Sequence, residues 1–303
     1  MTLNQLKYII AISKEDSLNE AAKKLFISQP SLSAALHSLE EEIGFDIFIR
    51  SKSGISLTVK GKEFLGYARS VVEQYDILDA KYISKTNLKR SFHVSMQHYT
   101  FAVNAFVELI KQYGMDEYEF EVHETTTHEV IKNVQNQKSE IGVIYMNDYN
   151  QSVLKKILKE AGLTFTPMFE CSIYAYMSKS NPLAAKKEVT IEELDEFPCL
   201  VFDQGEYNSA YYAEEVLSTY DYKRMIRVND RATILNLMIG INGYTLCSGI
   251  ICEDLNGPDY LAVKLRTDEK MTIGYISRKS AVISEMCQKY IEELLKYKEK
   301  VLC

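Results

Sequence analysis

The N-terminal part of the chain alternates hydrophobic and polar positions at helical spacing, in two short segments almost end to end. In SLNEAAKKLFISQPSLSAALHSLEEEIG, residues 17–44, Ser17 and Glu20 form the capping-box pattern that begins a helix. Ser28 precedes a second helix with Pro30 in its first turn, and Gly44 ends that helix. Each segment carries one apolar stripe, formed by Leu18, Ala21, Ala22 and Leu25 in the first and by Leu32, Leu36, Leu39 and Ile43 in the second. The pattern predicts two amphipathic helices joined by a tight turn.

The face opposite the second stripe consists of small, amide and imidazole side chains, where a surface helix normally carries Lys and Glu. Such side chains let a helix approach closely and hydrogen-bond to base edges in the major groove of DNA. The helix N-terminus also offers N–H groups and a positive dipole end to a phosphate. This arrangement is typical of a helix-turn-helix, whose second helix reads DNA, and the alternative is an αα-hairpin in an unrelated bundle. We predict DNA contacts for Gln29, Pro30, Ser31, Ser33 and His37.

A β-hairpin is predicted directly after the second helix. FDIFIR at residues 45–50 alternates like a strand, SKSG has turn chemistry, and ISL alternates again. Arg50 and Lys52 then lie at the tip, in the position of a wing that reaches a minor groove or phosphates. We add both residues to the predicted DNA contacts.

A long helix is predicted from Thr58, which is in N-cap position, to about Leu88. Its apolar residues are spaced alternately by four and three, which is a heptad seam. An isolated helix would leave this seam in water, so the seam must pack on another surface. DNA-reading helices normally work in pairs, and we therefore predict a second copy of the chain as the partner; packing against its own domain is the alternative. The predicted dimer contacts are Ala68, Val71, Tyr75 and Leu78.

From Ser91 onward, strand-like and helix-like patterns alternate. Repeated βα units predict mostly parallel sheets with helices on both faces, and the length suits two small sheets. Leu163–Pro167 and Lys264–Lys270 are the predicted crossings between the sheets, and the last helix is expected to return to the first sheet. Helices are predicted over Phe101–Tyr113, His128–Gln137, Val153–Leu158, Ile191–Asp195, Ser209–Tyr220, Ala232–Ile241 and Ser280–Lys300.

Polar and aromatic side chains follow several of the predicted strands, at the points where helices begin. Ligands of two-lobed α/β folds bind at the carboxyl ends of strands, near helix N-termini. Hydroxyl and N–H donors at these positions favour a small polar or anionic ligand. The threonines at residues 125–127 could equally be helix caps. The predicted effector contacts are Tyr99, Thr100, Thr126, Thr127, Asn147 and Phe202.

Composition supports a globular chain whose two parts differ in charge. The 303 residues are 46% hydrophobic, which is enough for more than one core, and carry a net charge of −7. Residues 1–90 contain 13 Lys and Arg against 11 Asp and Glu, whereas residues 91–303 contain 22 against 31. Nucleic acid would therefore be tolerated by the N-terminal part and repelled by the rest.

Cysteine usage and hydropathy indicate a cytoplasmic protein. Six cysteines are scattered without a CxxC pair or histidines at zinc spacing, so we expect buried thiols in a reducing compartment and no metal. The first residues lack the apolar region of a secretory signal, and no apolar run has the length of a membrane span. We expect no membrane partner.

The N-terminal motifs resemble the signature of LysR-type transcriptional regulators. An AA-x-x-L-x-x-SQP-x-x-S core, LE-x-x-x-G, an F-x-R wing and LT-x-x-G occur in order between residues 21 and 61. Ala34 stands where the family often has Arg, which leaves more of the base reading to Gln29, Ser31, Ser33 and His37. YMSKSNPLAAKKEVTIEEL at residues 176–194 and TILNLMIGINGYTLCSG at residues 233–249 resemble the family's effector domain.

The resemblance implies an α/β protein with a winged helix-turn-helix over residues 1–58 and a linker and dimerisation helix over 59–90. A two-lobed effector domain like type 2 periplasmic binding proteins would cover 91–303, with lobe 1 at about 91–163 and 268–303 and lobe 2 at about 164–267. The family binds double-stranded promoter DNA as homodimers or dimers of dimers and responds to a small-molecule effector between the lobes, without a cofactor. Tyr99 and Thr127 stand where the family commonly places effector contacts.

Three other classes are weaker alternatives. A solute-binding protein would have a signal peptide and no winged helix. An enzyme would need a nucleophile–base pair or a metal constellation, and neither is evident in the sequence. A redox sensor of the same family would need two cysteines within disulfide reach and a lowered thiol pKa.

Overall fold

The computed structural model describes residues 1–51, 54–79, 90–113, 117–279 and 281–301. The chain divides into two compact units, Met1–Lys89 and Arg90–Cys303, each with its own hydrophobic core. No helix among the described residues is both long enough and apolar enough to span a membrane.

The N-terminal unit is the predicted winged helix-turn-helix. It consists of α1 (Leu3–Ile12), α2 (Leu18–Lys24), α3 (Gln29–Ile43), β1 (Phe48–Ser51), β2 (Gly54–Leu57) and α4 (Val59–Leu78). Ser17 and Ser28 cap α2 and α3, and Gly44 ends α3 in the left-handed region, as the sequence predicts. The apolar stripes of α1, α2 and α3 meet in one core, and β1 pairs antiparallel with β2 as the wing.

Glu40 and Gly61 attach the wing to the helices. One carboxylate oxygen of Glu40 accepts the backbone N–H groups of Ile47 and Phe48 at 2.7 and 3.2 Å, which supplies a role for the first residue of the Glu40–Glu42 run. A Cβ on Gly61 would lie 2.0 Å from the carbonyl oxygen of Ile47, so glycine permits α4 to pack this closely. Thr58 caps α4 through the N–H of Gly61, and these contacts explain the LT-x-x-G motif.

The predicted heptad seam on α4 divides between two environments. Ala68 is buried in the core of its own unit and is not available to a second copy, so its assignment as a dimer contact is wrong. Val71, Tyr75 and Leu78 are exposed, with Tyr67 on the same stripe. The core face and the exposed stripe are adjacent on the helix, and the heptad spacing runs across both. The predicted continuation to Leu88 falls on residues 80–89, outside the described part of the chain.

The C-terminal unit alternates strands and helices. Its strands are β3 (Arg90–Met96), β4 (Tyr118–Glu124), β5 (Ile141–Met146), β6 (Leu163–Cys171), β7 (Tyr174–Ser178), β8 (Glu188–Val189), β9 (Cys199–Phe202), β10 (Met225–Val228), β11 (Tyr244–Cys247), β12 (Tyr260–Leu265) and β13 (Met271–Arg278). Its helices are α5 (Thr100–Lys111), α6 (Thr127–Gln135), α7 (Gln151–Glu160), α8 (Ile191–Leu194), α9 (Arg231–Ile241), α10 (Glu253–Asn256), α11 (Glu285–Leu295) and α12 (Tyr297–Val301).

These elements form the predicted two lobes, one around each sheet. The first sheet has the strand order β4-β3-β5-β13-β6, and the second has the order β10-β9-β11-β7-β12-β8. Helix α11 packs against α5, so the end of the chain returns to the first lobe as expected. Both sheets are mixed, because β13 and β7 pair antiparallel with their neighbours, so the prediction of mostly parallel sheets is only partly correct.

The first crossing between the lobes lies later than the predicted Leu163–Pro167. Strand β6 continues to Cys171 at the edge of the first sheet, so lobe 2 begins after that residue and not at 164. Pro167 is tolerated within the strand because it lies at an edge, opposite a register shift between Ile273 and Gly274. The return crossing lies between β12 and β13, as predicted.

The predicted helix Ser209–Tyr220 is absent. The segment contains short 3₁₀ turns at Gly205–Tyr207 and Ala210–Tyr212, and Leu217 has a left-handed backbone. Its polar groups bond to the first lobe instead: the carbonyls of Tyr212 and Glu215 accept the hydroxyls of Thr127 and Tyr145. These tertiary hydrogen bonds outweigh the helical propensity of the segment. Residues 204–215 are called the bridging segment below.

Candidate functional site

Helix α3 presents the residues predicted to contact DNA. Burial of Leu32, Leu36 and Leu39 turns the opposite side of the helix outward. Pro30, Ser31 and His37 are exposed, while Gln29 and Ser33 are half-buried; these five residues are called the recognition face. Ser28 accepts the N–H of Ser31, and the two hydroxyl oxygens lie 2.7 Å apart. The first turn of α3 therefore presents hydroxyl, amide and N–H groups together.

Two carboxylates border the recognition face, and each has a partner. Glu41 lies 3.3 Å from the imidazole of His37, and Glu40 is held by the wing backbone. The predicted contact Arg50 lies on β1 with its side chain outside the described part of the structure, and Lys52 lies outside it entirely.

Phe26 is a residue of this surface that the sequence reasoning treated only as part of the turn. Its side chain is 95% exposed between α2 and α3, and its backbone adopts a left-handed φ of 55°. Both features are uncommon for a large aromatic residue, and this one lies in the turn that leads into α3.

A second candidate site is a cavity between the two lobes of the C-terminal unit. Its volume is about 80 Å³, whereas one water molecule needs roughly 10–15 Å³, so a small organic molecule fits. The start of α5, the ends of β9 and β11, and helices α9 and α10 converge on it. Its apolar walls are Phe101, Tyr176, Phe202, Ile234, Leu235, Leu246, Ile250, Ile251 and Met271.

His98 and Glu214 join the lobes at one side of this cavity. The carboxylate of Glu214 accepts the backbone N–H of His98 at 2.8 Å and lies 2.8 Å from the imidazole Nδ1 of the same residue. The imidazole ring stacks on Phe202 at a centroid distance of 3.7 Å. The side chain of Gln204 donates to the other oxygen of Glu214. His98 is therefore fixed in both position and orientation.

Glu215 is buried beside this pair. One carboxyl oxygen accepts the backbone N–H of Phe202 at 2.9 Å. Burial, with a smaller contribution from the neighbouring Glu214, raises the pKa of Glu215 to about 8. The Glu215 side chain is therefore predominantly neutral at pH 7.

Arg231 and Asn256 line the cavity from the second lobe. The guanidinium of Arg231 forms an ion pair with Glu124 of the first lobe, and burial lowers the arginine pKa to about 10, which leaves it charged at neutral pH. The amide of Asn256 donates to the hydroxyl of Thr100 at 3.1 Å and to that of Tyr176 at 3.0 Å. Polar contacts therefore connect the lobes around the cavity.

Comparison with protein families identifies both units. The family model described as "Bacterial regulatory helix-turn-helix protein, lysR family" matches residues 3–62, and the model described as "LysR substrate binding domain" matches residues 97–298. The chain belongs to the LysR family.

Individual members of the LysR family have low sequence identity to this chain. The E. coli "Uncharacterized HTH-type transcriptional regulator YnfL" is 26% identical over 205 residues, which are 66% of this chain and 65% of the relative. The E. coli "Hca operon transcriptional activator HcaR" is 24% identical over 196 residues, which are 64% of this chain and 63% of the relative. The matches thus span slightly less than two-thirds of these relatives' own lengths.

Solved structures share the LysR fold over almost the whole chain. A full-length OxyR variant from Pseudomonas aeruginosa aligns with a TM-score of 0.65 at 21% identity, covering 99% of this chain and 95% of that one. Full-length CbnR complexed with its target DNA aligns with a TM-score of 0.58 at 18% identity, covering 98% and 99%. At sequence identities this low, the similarity shows that the fold is shared and nothing further.

The six predicted effector contacts of this LysR chain do not all reach the cavity. Tyr99, Thr100 and Phe202 line it. Thr126 is the N-cap of α6. Thr127 is buried. Its hydroxyl accepts a hydrogen bond from the side-chain amide of Gln97 and donates one to the carbonyl of Tyr212, so it supports the bridging segment. These two threonines thus have the capping and structural roles that the sequence reasoning left open.

Asn147 also lies away from the interlobe cavity. It exchanges hydrogen bonds with Asn150 at the start of α7 and lines a separate cleft with residues of β6 and β13. Sequence reasoning missed Glu214, Glu215, Arg231 and Asn256. The two adjacent glutamates are visible in the sequence, but they lie inside the segment Ser209–Tyr220 that the pattern assigned to a helix.

The cysteines of this LysR chain do not support a redox sensor. Burial raises the pKa of Cys171 to about 12 and that of Cys247 to about 11, and it also raises the pKa of Cys199 and Cys287. A reactive thiol needs a lowered pKa. None of the cysteines in the described part of the chain forms a disulfide bond.

Proposed function

We propose that the protein regulates transcription by binding double-stranded promoter DNA through α3 and the wing. The observation that carries the proposal is the recognition face, where a capped helix presents the amide and hydroxyl side chains of Gln29, Ser31 and Ser33. Side chains of this kind suit the major groove, and the N-terminus of α3 suits a backbone phosphate. Family membership and the names of the relatives as regulators support the same conclusion.

Gln29→Ala tests base reading directly. Gln can form a bidentate pair with adenine, and losing such a pair costs ~1–3 kcal/mol on the specific site but little on random DNA. The measurement is a gel-shift titration on a footprinted promoter and on random duplex. Gln288→Ala is the matched control, because Gln288 is an exposed helical glutamine in the other unit. Equal losses on both duplexes would remove Gln29 from base reading.

We propose that the regulator acts as a homodimer, which can pair into a dimer of dimers. The support is the exposed apolar stripe of Tyr67, Val71, Tyr75 and Leu78 on α4. Four large apolar residues in one row are unusual on the surface of a monomer.

We further propose that a small-molecule effector binds in the interlobe cavity and alters DNA binding. The support is a cavity lined by both lobes, since a ligand there has different contacts in open and closed arrangements. We assign the protein no catalytic activity, no cofactor and a cytoplasmic location, where its DNA partner lies. The regulatory rather than catalytic role is supported by the relatives, which are named as regulators.

A further inference from the structure

The interlobe cavity contains two adjacent buried carboxyl groups with unequal partners. Glu214 and Glu215 are 5% and 4% exposed, and both line the cavity. Glu214 is satisfied by His98 and Gln204. Among the described residues, no Lys, Arg or His side chain forms an ion pair with Glu215. Its carboxyl group is hydrogen-bonded by backbone N–H groups, including that of Phe202 at 2.9 Å.

Arg231, the arginine that lines the same cavity, lies beside a carboxylate of the first lobe. The guanidinium of Arg231 pairs with Glu124. The cavity lining thus contains two carboxyl groups, Glu214 and Glu215, and one guanidinium, which lies beside a carboxylate from outside the lining. The helix N-termini favour a polar or anionic ligand, whereas the acidic pair favours a cation.

The rest of the cavity suits an apolar body. Phe202, Phe101 and Tyr176 supply aromatic surface, and an ammonium group is attracted to aromatic faces as well as to carboxylates. Thr100, Thr245, Ser248 and Asn256 add neutral polar groups. A ligand with an aliphatic or aromatic body and a single positive charge would fit both the apolar walls and the carboxyl groups of the cavity.

We propose that the effector is a small ammonium compound whose charged nitrogen binds the Glu215 carboxylate and whose apolar body packs against Phe202, Ile234 and Ile250. The inference rests on the proposed effector role of the cavity and names its ligand class. Glu215 is protonated in the free protein at pH 7, and the ammonium group of the ligand would pair with its ionised form.

Binding of such a ligand releases a proton. Glu215 holds its proton up to about pH 8 in the free protein, whereas the complex requires the ionised form. Affinity for an amine therefore rises by about tenfold per pH unit below pH 8, levels off above it, and falls again above the pKa of the amine itself. A carboxylate ligand would show the opposite trend, because it needs the protonated form. The titratable or charged groups around Glu215 are Glu214, His98, Tyr99, Tyr145, Cys199, Tyr222 and Arg231.

The test is isothermal titration calorimetry of the full-length chain with two matched sets of probes. Benzylamine, benzyl alcohol and benzoate share one body and differ in charge, as do isoamylamine, isoamyl alcohol and isovalerate. We expect at least one amine to bind more than about tenfold tighter than its alcohol and its acid. Its affinity should rise with pH and the proton release should appear as a heat that depends on the buffer.

Glu215→Gln is the decisive variant. Gln resembles the neutral form that the free protein holds at pH 7 and keeps an oxygen for the Phe202 N–H, so the fold is retained. We expect it to lose amine binding by tenfold or more and to abolish the pH dependence, which separates Glu215 from His98. Glu293→Gln, at a buried carboxylate on α11, is the control and should bind the amine as the wild type does.

Three outcomes would overturn the inference: tighter binding of an acid than of its amine, binding by neither amine, or unchanged amine binding in Glu215→Gln. A gel shift with promoter DNA is run on the same protein. Specific DNA binding without amine binding refutes the ligand class and leaves the regulator proposal standing. Amine binding without specific DNA binding refutes the regulator proposal and leaves the ligand site.

Discussion

Phe26 combines a left-handed backbone with an almost fully exposed ring, so neither its backbone nor its packing favours phenylalanine in the free protein. We hypothesise that the ring contacts the DNA backbone next to the recognition face. Phe26→Gly should leave the free energy of unfolding unchanged or raise it by up to about 1 kcal/mol, because glycine adopts this backbone conformation freely.

Specific DNA affinity of Phe26→Gly should fall several-fold, as measured by fluorescence anisotropy. Val59→Ala is the control, since Val59 is an 88% exposed apolar residue of the same unit. Clear destabilisation by Phe26→Gly, or unchanged affinity, would show that the ring has another role.

The raised pKa of Glu215 also leads to a prediction about how stability depends on pH. Its folded pKa is about 8, raised from 4.5, so the folded state keeps a proton that the unfolded chain loses. The contribution of Glu215 to the unfolding free energy therefore falls as pH rises from about 4.5 to 8, by at most about 1.4 kcal/mol per pH unit. Urea denaturation of wild type and Glu215→Gln at pH 6 and pH 8 should show that the variant loses less stability. Parallel losses would mean that Glu215 is ionised throughout.

At the scale of single elements, α4 carries the prediction for self-association. Val71 and Leu78 are 51% and 56% exposed, so Val71→Asp or Leu78→Asp should leave the single unit folded. In a dimer each substitution would bury a carboxylate, at a cost of several kcal/mol. Analytical ultracentrifugation should then show monomers with weak DNA binding. Ile77→Asp, on a different face of α4, is the control, and a dimer that survives Val71→Asp would place the interface elsewhere.

Elements whose signals are local could be predicted from the sequence. Ser17, Ser28 and Gly44 set the ends of α2 and α3 through contacts within a few residues, and the stripes set the buried faces. The bridging segment could not be predicted, because its conformation depends on distant partners. His98 and Glu214 are 116 residues apart in the chain, and Thr127 and Tyr212 are 85 apart. No periodicity encodes such pairings.

At the scale of the whole molecule, the two-lobed architecture was predictable and the composition of its ligand site was not. Alternating strands and helices, together with the family motifs, predict the lobes and a cleft between them. The chemistry of the cavity depends on which side chains remain unpaired after the lobes close. Three of the six predicted contacts, Thr126, Thr127 and Asn147, are instead engaged in the scaffold.

The position of β13 has a consequence for how the chain folds during its synthesis. β13 lies between β5 and β6 and pairs with both, yet the whole second lobe is encoded before it. Until residues 271–278 leave the ribosome, β5 and β6 have no common neighbour, and the facing edges of both strands stay unpaired. Unpaired edges invite pairing with other chains. The first lobe, although it begins first, can be completed only after the second lobe has been translated.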